Sequence, residues 1–257
     1  MAAHYDDPNF SYVNYWQSRD YENLSEIEAI NSLLKKQIFP QAADIGGGFG
    51  RLIPTILNFS KKVLLIEPSA KQRQIAKKSF TGIKTISVLP GTAEKTRLRD
   101  KSVSLITVIR VMHHLPDPLP AFNEFFRILK PDGILILEFA NSKHFKAQIL
   151  SLLTGKPILP IPIEKRSPSN IKKRTIEFVN HHPITIQKLL KRAGFEIDKT
   201  LSVSNFRSPT LKKILPIDLL VNLEKKVQSP LSGLYFGPSI FILARKPRAN
   251  LDKNKNP

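Results

Sequence analysis

Short aliphatic runs alternate with helical patterns from residue 40 onward. Buried strands are predicted wherever such a run occurs, over residues 41–45, 62–67, 83–88, 103–109, 133–139, 195–202 and 238–244. Apolar positions spaced about three to four residues apart predict the helices between them, over residues 51–59, 69–79, 118–129 and 185–193. This alternation is typical of a mostly parallel sheet that is covered by helices on both faces.

The two ends of the chain and one internal segment depart from this alternation. Residues 1–39 predict a helical segment that precedes a domain over residues 40–247, and residues 248–257 are polar enough to predict a disordered tail. Residues 141–182 are basic, and their prolines exclude a long helix; these are Pro157, Pro160, Pro162 and Pro168. We therefore expect a basic cap insertion over one end of the sheet, followed by an amphipathic, mostly helical stretch over residues 208–228.

The composition is that of a soluble globular protein, with 41% hydrophobic and 24% charged residues. The chain has no cysteine, which excludes disulfides, thiolate metal sites and cysteine nucleophiles. Its acidic, polar first residues do not resemble a secretory signal, and its apolar runs are shorter than a bilayer requires. The expected location is the cytoplasm.

The net charge of +19 is concentrated in the second half of the chain. Residues 1–140 contain 18 lysines and arginines against 14 acids, whereas residues 141–257 contain 22 against 7. Apolar stretches lie between these cations, around Lys172, Lys173, Lys212 and Lys213. The pattern favours an amphiphilic acceptor, with peripheral contact to an anionic membrane, over nucleic acid. A lysine-rich surface with no specific partner is the alternative.

A glycine-rich turn follows the first predicted strand in the sequence AADIGGGFGR, which begins at Ala42. A strand that enters a helix through such a turn points backbone N–H groups at a ligand. Dinucleotide sites space their glycines as GxGxxG, whereas Gly46, Gly48 and Gly50 form GxGxG. Asp44 would repel a pyrophosphate and attract a cation. The turn therefore indicates a sulfonium ligand such as S-adenosylmethionine, not NAD.

Glu67 ends the second strand about twenty residues after this turn. Its two oxygens suit the vicinal hydroxyl groups of a ribose, a feature that fits NAD equally well. Further along the chain come HHLPDP, which begins at His113, and LKPDG, which begins at Leu129.

Taken together, these motifs resemble the class I S-adenosylmethionine-dependent methyltransferases, in particular the type 11 group that includes quinone-biosynthesis enzymes. The resemblance is dense over residues 40–140 and implies an α/β, Rossmann-like, doubly wound and mostly parallel seven-stranded sheet. It also implies S-adenosyl-L-methionine as cofactor and methyl transfer as the activity. It does not identify the acceptor or the atom that is methylated.

The resemblance also implies roles for individual residues. Asp44, Gly46 and Gly48 would line the methionine end of the cofactor, and Glu67 would bind the ribose. Thr92 and Ala93 would lie beside the adenine, although many relatives have Asp where this chain has Thr92. Arg110, with Val111, would present backbone near the amino-acid moiety. In similar proteins an aromatic segment such as residues 12–22 folds over the cofactor, where Arg19 could meet the methionine carboxylate.

Methyl transfer needs a general base only when the acceptor is a poorly ionised hydroxyl or ammonium. His113 and His114 follow the fourth strand at the ligand-binding edge of the sheet, and His114 is the candidate base. The alternative is that His113 packs in the turn and leaves one imidazole near the site. His181 and His182 could reach the site from the cap. No clustered carboxylates accompany these histidines, so no metal site is predicted.

Three alternatives remain open at this stage. An RNA or protein methyltransferase would explain the basic half, but the chain lacks both the Asn/Asp-Pro-Pro-aromatic motif of many base methyltransferases and a recognisable RNA-binding module. A non-catalytic interaction subunit would have no need of Asp44, the glycines and Glu67. A dehydrogenase is the third alternative. The sequence does not indicate an oligomeric state.

Overall fold

The aliphatic runs form one central sheet and one small ladder. In this computed structural model, which describes residues 5–173 and 175–248, the strands are β1 (Ala42–Ile45), β2 (Val63–Ile66), β3 (Ile86–Leu89), β4 (Val103–Val108), β5 (Leu129–Ala140), β6 (Ile163–Glu164), β7 (Val179–Asn180), β8 (Glu196–Val203) and β9 (Ser239–Arg245). Strands β6 and β7 pair only with each other. The rest of the predicted tail, residues 249–257, lies outside the described residues, as does Arg174.

The central sheet has seven strands in the order β3-β2-β1-β4-β5-β9-β8. The first five are parallel, and β9 runs antiparallel to both β5 and β8. The predicted α/β, mostly parallel seven-stranded sheet is confirmed. Because β1 and β4 are neighbours and the chain winds outward from them in both directions, their carboxyl ends flank the crevice where ligands bind in such sheets.

Helices cover both faces of this sheet. Within the described residues they are α1 (Tyr12–Trp16), α2 (Asp20–Leu34), α3 (Ile53–Leu57), α4 (Ala70–Ser79), α5 (Leu119–Ile128), α6 (Phe145–Thr154), α7 (Pro168–Lys172), α8 (Pro183–Arg192), α9 (Pro209–Ile214) and α10 (Ile217–Val227). One core layer contains α5 and α8, and the other contains α2, α3 and α4. Successive residues of β4 pack on opposite faces of the sheet: Ile106 packs into the first core layer and Leu105 into the second. None of the helices in the described part of the chain is long and apolar enough to cross a bilayer.

Several predicted boundaries were wrong. Helix α2 ends at Leu34 and not near residue 39, because Lys35 takes a left-handed conformation with φ 54°. Helix α3 covers only five residues because the first part of the predicted 51–59 segment forms turns that leave the glycine loop. Residues 145–154 form α6, which the proline pattern did not predict. The prolines of the cap come after this helix, which Gly155 ends at φ 67°.

A buried ion-pair cluster fastens the N-terminal helices to the sheet. The carboxylate of Glu26 on α2 is fully buried and lies 2.6 Å from Nη2 of Arg51 and 2.5 Å from Nη2 of Arg110. The guanidinium of Arg51 also stacks on Trp16 of α1, 3.6 Å from the ring centroid. Arg51 follows the glycine turn and Arg110 follows β4. These four residues, named here the Glu26 cluster, therefore connect α1 and α2 to the two strands that flank the crevice.

A second buried carboxylate connects α2 to the C-terminal part of the chain. Glu224 on α10 accepts a hydrogen bond from the Tyr21 hydroxyl at 2.6 Å and another from the Ser204 backbone N–H at 2.8 Å. At the edge of the same contact, Lys212 pairs with the buried Glu22 at 2.9 Å. The two ends of the described chain are thus packed together over one face of the sheet.

Replacing Glu26 by Gln should destabilise the protein strongly. The change removes the carboxylate with which two neighbouring, mostly shielded guanidinium groups pair, so the free energy of unfolding in urea should fall by about 3 kcal/mol. Glu28→Gln is the matched control on the same helix. Its partner Lys225 is exposed and 3.2 Å away, so the loss should stay below about 1 kcal/mol. Equal losses in the two variants would contradict the role given to the Glu26 cluster.

Candidate active site

Glycines form the turn after β1 because neighbouring atoms and the backbone conformation both exclude side chains. Gly46, Gly48 and Gly50 have positive φ angles of 69°, 59° and 89°. A Cβ atom on Gly46 would lie 2.4 Å from Cγ2 of Val111, and one on Gly47 would lie 2.4 Å from Oδ2 of Asp44. The turn therefore brings its backbone against the end of β4 and against the carboxylate of Asp44.

Asp44 lies buried beneath this turn. Its Oδ1 accepts a hydrogen bond of 2.6 Å from the Thr107 hydroxyl, while Oδ2 has no hydrogen-bond partner within the described residues. Burial raises the pKa of Asp44 to about 6. The side chain is not itself a wall of the cavity described below, so its influence on a ligand there is electrostatic and is transmitted through the turn.

Glu67 connects the end of β2 to the same turn. Its Oε2 accepts a hydrogen bond from the Gly48 N–H at 2.9 Å, and its Oε1 accepts one from the Ser69 N–H at 2.8 Å. Each carboxylate oxygen can accept a second hydrogen bond, so the pair remains able to bind a vicinal diol. Burial raises the pKa of Glu67 to about 7, because the two backbone hydrogen bonds do not compensate for its removal from water.

A cavity opens between the glycine turn, Glu67 and the N-terminal segment. It is lined by ten residues: Tyr5, Tyr12, Gly46, Gly48, Glu67, Pro68, Gln72, Arg110, Val111 and His114. The rings of Tyr5 and Tyr12 narrow it to about 30 Å³, far less than the several hundred Å³ of a typical small-molecule site. A nucleoside-sized ligand must therefore displace these rings, which belong to the N-terminal segment.

The structure brings together six of the predicted site residues in this lining: Gly46, Gly48, Glu67, Arg110, Val111 and His114. Arg110 adopts φ 62° because its N–H donates to Glu138 at 2.8 Å, which turns the chain into the cavity wall. Sequence analysis missed Tyr5, Pro68 and Gln72 as wall residues. The last two follow Glu67 closely in sequence, but nothing around Tyr5 signals its position.

Three other predicted residues are not among the cavity walls. Thr92 is exposed, and its hydroxyl accepts the Lys95 N–H at 3.1 Å within a local turn. Ala93 is buried in the core layer that contains α5 and α8. The guanidinium of Arg19 stacks on the Tyr15 ring, 4.0 Å from its centroid. Arg110, not Arg19, is the arginine that lines the cavity, so the predicted carboxylate contact of Arg19 is not supported by this placement.

A second cavity of about 210 Å³ adjoins the first. The two share four walls: Tyr5, Tyr12, Arg110 and His114. The remaining walls of the second cavity are mostly aromatic or apolar, with one further cation; they are Phe10, Tyr15, His113, Ile176, Phe178 and Arg207. Burial, together with the charges of His114 and Arg110, lowers the pKa of His113 well below its usual value, so that this ring is neutral at pH 7.

His114 lies where the two cavities meet, and its hydrogen bonds define its tautomer. Nδ1 is 2.7 Å from the carbonyl oxygen of Glu177, which can only accept, so Nδ1 carries the proton. In the neutral ring Nε2 is then an acceptor, and it lies 2.8 Å from the Tyr5 hydroxyl. This arrangement leaves the basic nitrogen of His114 directed at the shared wall of the cavities, as a general base requires.

The other two histidines do not reach the site. His181 Nε2 donates to the carbonyl of Met112 at 2.9 Å, and His182 lines a separate groove beside α6. Among the residues that the structure describes, no group of three or more histidines and carboxylates is arranged to hold a metal ion.

Part of the chain matches a known family of domains. Residues 43–137, from β1 through most of β5, match the type 11 methyltransferase domain family. These residues match a methyltransferase domain. The resemblance noted in the sequence is thereby confirmed, and the family implies S-adenosyl-L-methionine as methyl donor.

Two relatives and one solved structure show how far the similarity extends. An uncharacterized methyltransferase of Oceanobacillus iheyensis is 33% identical over 119 residues, which are 45% of this chain and 54% of that protein. A ubiquinone/menaquinone biosynthesis C-methyltransferase of Campylobacter jejuni is 29% identical over 180 residues, 64% of this chain and 73% of that one. The chain thus spans only about half the length of the Oceanobacillus protein.

The solved structure is that of an S-adenosylmethionine-dependent methyltransferase of Thermotoga maritima, a possible histamine N-methyltransferase. It has a TM-score of 0.60 at 24% identity, with coverage of 91% of this chain and 94% of that one. At this identity the likeness supports the fold alone.

The charged groups around the glycine turn fit S-adenosyl-L-methionine as the ligand. Two buried carboxylates with raised pKa values, Asp44 and Glu67, flank the glycine turn, and the nearby arginines Arg51 and Arg110 are both paired with Glu26. A cationic ligand is favoured there over a pyrophosphate. Glu67 and the closely approaching backbone of the turn would hold the ligand.

Lowering the pH should weaken the binding of S-adenosyl-L-homocysteine, the demethylated product. Only ionised Glu67 accepts hydrogen bonds from both hydroxyls of a ribose, and its pKa is about 7. Affinity measured by calorimetry should therefore fall about tenfold for each pH unit below this value.

In Glu67→Gln the group that titrates near pH 7 is gone, so binding should be weaker and should not change between about pH 7 and about pH 8; any dependence left at lower pH would come from Asp44, whose pKa is about 6. Asp117→Asn, a change at an exposed carboxylate, should keep the wild-type profile. A wild-type affinity that stays constant between about pH 5 and about pH 8 would show that Glu67 does not hold the ligand.

Proposed function

We propose that this protein transfers a methyl group from S-adenosyl-L-methionine to a small amphiphilic acceptor that contains a planar ring. The observation that carries this proposal is the junction of the two cavities at His114. One cavity has the carboxylate and glycine backbone suited to the cofactor, and the other has aromatic walls. In-line transfer requires donor and acceptor sites to meet in this way.

The cofactor side is built from backbone and carboxylates. Gly46 and Gly48 would leave room for the cofactor to approach the backbone closely, while Glu67 would accept hydrogen bonds from the ribose. When bound, S-adenosyl-L-methionine supplies an electrophilic methyl group whose departure needs no acid. The negative charge of Asp44 and Glu67 would stabilise a cation in this largely buried site.

The acceptor side suits a ring with a polar substituent. Tyr15 and Phe178 provide flat apolar surface, and Arg207 places a cation on the wall. Aromatic walls stabilise a planar ring through offset and edge-to-face contacts. The Campylobacter jejuni relative is named for ubiquinone and menaquinone biosynthesis, which is consistent with an amphiphilic ring as the acceptor.

His114 would act as the base for a hydroxyl acceptor. An acceptor hydroxyl in the place of the Tyr5 hydroxyl would donate to Nε2, which takes up its proton as the new bond to carbon forms. The Glu177 carbonyl would then hold the Nδ1–H of the imidazolium, as it holds that of the neutral ring. The same residue would serve C-methylation if loss of the hydroxyl proton activates the ring.

Transfer of labelled methyl groups tests the proposed acceptor class. The purified protein and methyl-labelled S-adenosyl-L-methionine are incubated with cell extract, which is then separated into lipid, water-soluble, RNA and protein fractions. We expect enzyme-dependent label in the lipid or organic-soluble fraction. Label in RNA or protein would support the alternative acceptors. No label in any fraction, with the cofactor bound, would support a non-catalytic subunit.

Replacing His114 by Ala should lower kcat by about 10²–10⁴-fold on the identified acceptor, because proton transfer loses its base. The affinity for S-adenosyl-L-homocysteine should change by less than about threefold, since Glu67 and the glycine turn remain. His182→Ala is the matched control: this buried histidine lines a different groove, so kcat should be retained. A kcat of His114→Ala close to that of the wild type would rule out the base role.

A further inference from the structure

Helix α6 is unusual because it is apolar and yet buries none of its residues. Leu150, Leu152 and Leu153 are 61%, 84% and 78% exposed. Single exposed leucines are common on protein surfaces, but three within four positions of one helix expose an unusual amount of apolar surface. The patch has a high free-energy cost in water unless another surface covers it.

The patch extends beyond α6 on both sides. Along one side a groove of about 640 Å³ separates the helix from the segment around Ile158 and from the start of α8 at Ile184. Along the other side a groove of about 480 Å³ separates Phe145 from Arg207 and α9. Exposed apolar side chains occur on all these elements. We call the following set the cap surface: Phe145, Ile149, Leu150, Leu152, Leu153, Leu159, Ile161, Ile163, Ile171, Ile184 and Ile214.

Cations surround the cap surface almost without acids. Residues 143–173 contain seven lysines and arginines and a single acid, Glu164. That acid is neutralised locally, because Arg166 pairs with it at 2.6 Å. Lys146 and Lys156 lie within four positions of the exposed leucines. Lys172 and Lys173 lie at the C-terminal end of α7, next to the exposed Ile171 in sequence; all four lysines are exposed.

We propose that the cap surface docks on a lipid bilayer that contains anionic headgroups. Leucines with a lysine rim are the composition of surfaces that insert at the boundary of headgroups and acyl chains. A second copy of the chain would bring two cationic rims together, and a nucleic acid would leave the leucines facing phosphates. Only an anionic bilayer matches both the apolar patch and its charge.

The cap surface lies near the second cavity, which is the proposed acceptor site. Helix α6 follows β5 at the carboxyl edge of the sheet, where both cavities open. Phe178 is 41% exposed and also lines the second cavity, directly before the strand β7 that pairs with the cap. A bilayer against the cap would therefore lie next to the entrance for an amphiphilic acceptor. The docking itself needs neither cofactor nor catalysis.

Sedimentation with vesicles tests the proposal, using phosphatidylcholine alone and phosphatidylcholine with about one third phosphatidylglycerol. The wild-type protein should sediment with the anionic vesicles at low salt, and its partition coefficient should fall at least about tenfold at ~0.5 M NaCl. Leu152→Asp combined with Leu153→Asp should lower it at least about tenfold. Reversing Lys146, Lys156, Lys172 and Lys173 to Glu should lower it about 100-fold or more.

Matched controls lie at the opposite, amino edge of the sheet. Reversing Lys61, Lys62, Lys77 and Lys78 to Glu changes the net charge equally, and Ile38→Asp removes a side chain that is 59% exposed. Both should retain most of the wild-type binding. The sequence also placed Lys212 among the cations beside apolar stretches. It is left unchanged in these variants because its ammonium pairs with the buried Glu22. Retained S-adenosyl-L-homocysteine binding and far-UV circular dichroism show that each variant is folded.

Three results would overturn the proposal. The first is no binding of the wild type to anionic vesicles at low salt. The second is equal loss of binding in the cap variants and the amino-edge controls, which would show a response to net charge alone. The third is a dimer that the leucine changes dissociate, without vesicle binding, which would assign the cap surface to a second copy of the chain.

Discussion

The placement of the active site depends on one buried interaction, that of Glu26 with Arg51 and Arg110. Each arginine follows a strand that flanks the ligand crevice, and the carboxylate that joins them lies on a helix outside the sheet. Both guanidinium groups pair with Glu26, and within the described residues neither forms a salt bridge with Asp44 or Glu67, so these two carboxylates can act on a ligand. It also holds Trp16 and the tyrosine-rich segment before it over the glycine turn. The geometry of the site and its electrostatic potential therefore have a common origin.

The carboxylates of the site reduce stability in the absence of a cation. Asp44 has a pKa of about 6 in the folded protein and an ordinary value of 3.8, so the folded state binds more protons between these values. Its contribution to the free energy of unfolding is consequently lost as the pH rises through this range. Glu67 behaves in the same way up to about pH 7. A bound cation would recover part of this loss, so binding of a cationic ligand should stabilise the folded protein.

Features set by local sequence were predictable, whereas those set by distant partners were not. The strands, the glycine turn and Glu67 follow from aliphatic runs and from spacing within a single strand–turn–helix unit. Arg19 and Arg110 illustrate the limit: both are arginines near the expected ligand, but only the ion pair with Glu26, 84 positions from Arg110, decides which one lines the cavity. Tyr5 reaches His114 across 109 positions. Helix α6 was missed because the prolines that follow it obscured a short apolar pattern.

A crystal structure of the complex with S-adenosyl-L-homocysteine would test the central claim, that the glycine turn and Glu67 form the donor site and adjoin a separate acceptor cavity. The account predicts that both ribose hydroxyls contact the carboxylate of Glu67, that the rings of Tyr5 and Tyr12 are displaced from the first cavity, and that the sulfur atom faces the second cavity beside His114. A nucleoside bound away from the glycine turn, or a sulfur atom directed away from His114, would contradict it.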